Sequence, residues 1–97
     1  SEIRDIYELR SVLEAFTTEL AVPRITAETI HQMQQTIDRM EECIAADDKA
    51  GFATENGRFH DLILEQCPNR AAVKMVNNLL EQTSSFRWLS WRTTASM

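Results

Sequence analysis

IYELRSVLEAFTTEL, residues 6–20, decides the fold. Its apolar members Ile6, Leu9, Leu13, Phe16 and Leu20 are spaced 3, 4, 3 and 4, so on a 3.6-residue helix they form one stripe. Ile3 extends that stripe toward the N-terminus. Pro23 ends it, because proline lacks a backbone donor and disfavours helical geometry in the residue before it. Downstream the same logic repeats. Thr26 is a good N-cap for a second helix carrying Ile30, Met33, Ile37, Met40 and Ile44, which should run to about Ala46.

Asp47 and Asp48 make a short polar break, and their carboxylates suit the N-terminus of a third helix. That helix places Phe52, Phe59, Ile63 and Cys67 on one side. Pro68-Asn69 breaks it, and Asn69 can cap a fourth helix with Ala72, Val76, Leu79, Leu80, Phe86 and Leu89. No alternating strand pattern and no internal repeat is present. Each apolar run lasts under three heptads, too short for a long coiled coil. The expectation is an all-α fold, an antiparallel helical bundle of about four helices joined by short links.

The chain is 97 residues long with 43 % apolar and 26 % charged residues and only two glycines and two prolines. That length fits a single domain, 1–97, and the composition excludes low-complexity disorder. The start at Ser1, already within a helical pattern, points to a domain cut from a longer protein. A net charge of −5 opposes nucleic-acid binding by this chain alone, since phosphate backbones require positive charge. Residues 1–48 carry 11 acidic and 4 basic side chains, while residues 49–97 carry 4 acidic and 6 basic. Cys43 and Cys67 are too few and too far apart for a disulfide framework or a zinc ribbon, which suits a reducing cytoplasm. No apolar run approaches the roughly 20 residues of a membrane span, and no signal peptide is visible.

Asn56 and His60 stand four apart, on the side of the third helix that carries Phe52, Phe59 and Ile63, so two polar groups point toward the core. A buried amide or imidazole needs a hydrogen bond, a water or a metal, at a cost of roughly 1–3 kcal/mol if left unpaired. Imidazole is a common ligand of divalent transition metals and an amide oxygen a weaker one. A satisfied core histidine fits the same residues. Arg10, beside Leu9 at the edge of the first stripe, can reach a cavity between helices and bind a carboxylate, or pair with Glu14 on the surface. His31 lies off its stripe and is read as exposed. Gly57 within a helix marks close helix approach, space for a ligand or a tolerated weakness. No nucleophile–base pair, phosphate-cradling glycine loop or H-E-x-x-H pattern is present, so the chain is not read as an enzyme.

Taken together, Asp5-Ile6-Tyr7-Glu8-Leu9-Arg10 with Leu13-Glu14, then Leu20-Ala21, Asn56-x-x-Phe59-His60 and Asn69 resemble the FCD domain, the C-terminal effector-binding domain of FadR-type GntR transcription regulators. The resemblance covers residues 3 to about 90. It implies an all-helical sensing and dimerisation domain that follows a winged helix-turn-helix, here absent, through which DNA would be bound. It further implies a small carboxylate effector and, in many members, a divalent metal held by an Asp or Asn and three histidines. By that match Arg10 faces the effector, and Asn56 and His60 are the first metal ligands. No histidine follows position 60. The bundle is therefore read as an incomplete FCD type with a partial metal site, and zinc or nickel binding is expected to be weak or absent.

Phe86, Trp88, Leu89 and Trp91 span more than one helix face, so an apolar surface should remain uncovered. A homodimer follows as the expectation, with exchanged helices as one way to form it. The competing reading is a helical homodimerisation module whose pocket is vestigial.

Overall fold

A computed structural model describes the backbone of residues 1–96 and the side chains of residues 1–83. The elements are α1 (Glu2–Ala21), a 3-10 turn (Val22–Arg24), α2 (Ala27–Ala45), α3 (Lys49–Leu64) and α4 (Arg70–Ser96). Among the described residues there is no strand, and no helix is long and apolar enough to cross a membrane. The all-α reading holds. The aromatic cluster at Phe86, Trp88, Leu89 and Trp91 falls outside the described side chains.

Each boundary has a local cause. Pro23 lies inside the 3-10 turn that follows α1. The Thr26 hydroxyl accepts from the Thr29 N–H at 3.2 Å, and the Asp48 carboxylate accepts from the Gly51 N–H at 2.9 Å. Asn69 Oδ1 accepts from the Ala72 N–H at 3.0 Å. Each cap satisfies a first-turn donor that has no partner within the helix. Helix α2 ends in a Schellman motif. The Asp48 N–H donates to the Cys43 carbonyl at 2.8 Å and the Asp47 N–H to that of Ile44 at 3.2 Å. Asp47 occupies the left-handed position, φ 52°, which glycine usually fills.

The helices lie side by side in the order α4, α1, α3, α2, with α3 and α4 also touching near the link that joins them. The result is a slab of 39 × 36 × 16 Å. A square four-helix arrangement with axes about 10 Å apart would have two similar short dimensions, whereas this one is spread. Its radius of gyration, 14.2 Å, exceeds the roughly 12–13 Å of a compact chain of this length.

The core sits where the end of α1, the end of α3 and the start of α4 converge. Ala21, Leu64, Cys67, Val73 and Val76 are buried there, with Leu13, Leu20, Ile63 and Leu80 packed around them. On α1 and α2 the most deeply buried positions lie beside the apolar stripe, whereas on α4 the stripe itself is buried, at Ala72, Val76 and Leu79. On α1, Thr17 is 1 % exposed while Leu9 and Phe16 are 47 % and 42 % exposed. On α2, Thr29 and Thr36 are buried and Ile30 and Ile44 are exposed. The rest of each stripe is half-buried, at Leu13 and Leu20 on α1 and at Met33, Ile37 and Met40 on α2. The buried hydroxyls cost little, because they bond to carbonyls of their own helix. Thr17 donates to the Leu13 carbonyl at 3.0 Å and Thr36 to that of Met33 at 2.7 Å.

Candidate functional site

Arg10 lies in the seam between α1 and α4, its side chain only 13 % exposed. Three groups enclose it. Nε donates to Glu14 Oε1 at 3.0 Å, one helical turn on. Nη1 donates to Thr83 Oγ1 on α4, also at 3.0 Å. The Tyr7 ring lies beneath, 5.4 Å from Cζ to the ring centroid, in cation–π geometry. The two sequence alternatives for Arg10 thus resolve into a half-buried ion pair with Glu14 plus a cross-helix bond that the sequence reading missed. A signal for Thr83 existed: it stands four residues after Leu79 and three after Leu80, on the periodic face of α4.

Thr83 is 0 % exposed and spends its own proton on the Leu79 carbonyl at 2.9 Å. Its oxygen is therefore left to accept from Arg10. A guanidinium has five N–H groups. The two bonds above leave three of them with no partner among the described residues. Such a cation, largely shielded from water, is suited to a carboxylate, because charge-assisted bonds strengthen as solvent is excluded.

Asn56 and His60 sit one turn apart on α3, both half-buried, and neither is among the partners of Arg10. His60 meets the Phe59 ring edge-on, with centroids 6.1 Å apart. The polar side chain that α3 buries is instead Glu55, 8 % exposed, three and four residues from Phe52 and Phe59 on the face toward α2. Among the described residues no group of three His, Cys, Asp or Glu side chains is placed to hold a metal. One imidazole and one neutral amide fall short of the three or more protein donors typical of a transition-metal centre, so the donors present do not fit such a site. Nor does Gly57 serve close packing, since a methyl group there would meet nothing within 4 Å.

Between α2 and α3 runs an open cleft of about 280 Å³ lined by Gln35, Arg39, Arg58, Asp61 and Glu65 among others. Glu55 accepts from Arg58 Nη1 at 2.6 Å, and its second oxygen is 3.7 Å from Arg39 Nη1 with no hydrogen bond. Nearby, burial pushes the Cys43 thiol above its ordinary pKa, and the carboxylates of Asp48, Glu55 and Glu42 raise it further.

No curated protein and no solved structure is significantly similar to the chain. A family model does match, that of the FCD domain, over residues 5–97. FCD domains occur in GntR-family regulators and are regulatory domains, not enzymes. The match takes in every element from α1 to α4 and the whole Arg10 seam, and the chain belongs to the FCD domain family.

Proposed function

We propose that the chain is the effector-sensing and dimerisation domain of a cytoplasmic GntR-type transcription regulator, and that it binds a small carboxylate metabolite at Arg10. The enclosed guanidinium, with three N–H groups that have no partner among the described residues, carries this reading. Asn56 and His60 flank the ligand as hydrogen-bonding groups, and a divalent ion such as zinc or nickel binds there weakly or not at all. DNA is held by a separate winged-helix domain, since this chain has a net charge of −5. A second copy of the chain covers apolar surface such as Val12 and Ile30, 67 % and 59 % exposed. An effector that prefers one arrangement of the two subunits shifts the population toward it and so repositions the DNA-binding domains.

Thermal unfolding with succinate, malate and citrate tests the ligand. A ligand of the folded state at 100 times its Kd adds about 2.7 kcal/mol of apparent stability. The wild-type chain should be stabilised by at least one of the three and Arg10→Ala by none. Absence of any shift favours the second reading, a helical homodimerisation module with a vestigial pocket, which the two-donor set at Asn56 and His60 supports. Zinc calorimetry showing a tight stoichiometric site that His60→Ala abolishes would overturn the metal statement, and a monomer by sedimentation at tens of micromolar the dimer.

A further inference from the structure

The polar seam between α1 and α4 contains more than Arg10, and we infer that Thr83 is a positioning residue that sets the direction in which Arg10 meets a carboxylate. The inference rests on the reading of Arg10 as the ligand contact. An arginine side chain has four rotatable bonds before its planar head, and fixing that plane requires partners in at least two directions. Glu14 supplies one at Nε, from the same helix. Thr83 supplies the other at Nη1, from across the seam.

Thr83 is suited to that task by its own constraints. It is fully buried, so water does not compete for its oxygen. Its proton is committed to the Leu79 carbonyl at 2.9 Å, with the Leu80 carbonyl at 3.3 Å as a second acceptor. The lone pairs are consequently the part of the hydroxyl left to face Arg10, and a donor-only or apolar side chain would not replace it. Being β-branched, threonine is also stiff at χ1, which fixes the oxygen on α4. The remaining N–H groups of Arg10 therefore point in one direction relative to both helices, and a ligand carboxylate that bonds them joins α1 to α4 through a single cation.

Citrate titration by calorimetry of the wild-type chain, Arg10→Ala, Thr83→Val and Thr83→Ser tests this, together with the arginine side-chain ¹⁵N signals without ligand. Thr83→Val should weaken citrate binding about tenfold, equivalent to one net hydrogen bond, and average the Arg10 Nη signals as the head rotates freely. Thr83→Ser, which keeps the hydroxyl, should bind within about twofold of wild type. Thr83→Val that binds like wild type while Arg10→Ala does not overturns the positioning role and leaves the ligand reading intact. Arg10 Nη signals unchanged in Thr83→Val overturn it independently of any ligand. Wild type that binds none of succinate, malate and citrate more tightly than Arg10→Ala does overturns the ligand reading, and the positioning role with it.

Discussion

Gly51 lies against the carboxylate of Asp48, the cap of its own helix, so closely that a methyl group on its Cα would overlap Asp48 Oδ2 and come within 2.9 Å of Cys43 Sγ. The glycine is required by space, since no glycine of the chain has a positive φ.

The two glycines of α3 should therefore respond to alanine with opposite signs. Gly51→Ala forces the cap or the Cys43 side chain to move and should cost about 1–2 kcal/mol. Gly57→Ala adds a methyl into open space and removes backbone freedom from the unfolded chain, so it should stabilise by about 0.5–1 kcal/mol. Urea unfolding of both variants checks this; a loss of stability in Gly57→Ala would mean that the open space is needed.

Thr17 and Thr83 are both fully buried, yet their hydroxyls differ in what depends on them. Thr17 bonds only to carbonyls of its own helix, so Thr17→Val should change stability by less than about 0.5 kcal/mol. Thr83→Val strands an N–H of a cation that is 13 % exposed and should cost about 1–2 kcal/mol. Equal effects in thermal unfolding would show that the cross-helix bond contributes nothing.

The Cys43 thiol should alkylate slowly at pH 8, because burial and its three acidic neighbours hold the thiolate fraction down. Asp48→Asn removes one of those charges and retains a good cap, so the rate with iodoacetamide should rise. Since the folded pKa is raised, the neutral thiol favours the fold below the ordinary thiol pKa. That preference is lost as pH rises through the raised value. Cys67, 2 % exposed, should stay protected until unfolding. A slower reaction in Asp48→Asn would contradict the electrostatic account.

The four helices and the caps at Thr26, Asp48 and Asn69 were legible in the sequence, because caps and breakers act within four residues. Which flank of α1 and α2 is most deeply buried was not, whereas on α4 the expected Ala72, Val76 and Leu79 are buried. The stripe of Leu9, Phe16, Ile30 and Ile44 is real as a pattern, but burial depends on how many neighbours a helix has and from where they approach. On α1 and α2, Thr17, Thr29 and Thr36 take the most covered positions and the stripes are covered only in part. At the site, Arg10 was identified with its local partner Glu14, whereas Thr83 lies 73 positions away and only the tertiary structure joins them. Asn56 and His60 share a face as read, half-buried, while the deepest polar group of α3 is Glu55.

The slab has a thermodynamic consequence. A body 16 Å thick has little interior for its area, and among the described residues its buried apolar centre consists mostly of small side chains: Ala21, Cys67, Ala72, Val73 and Val76, with Leu64 and Leu79. Its folding free energy should fall toward the low end of the usual 5–15 kcal/mol. A few kcal/mol from any molecule laid on one broad face is then a large fraction of the total. A domain built this way registers occupancy in its own cohesion, and local opening measured by hydrogen exchange should report it throughout the described helices.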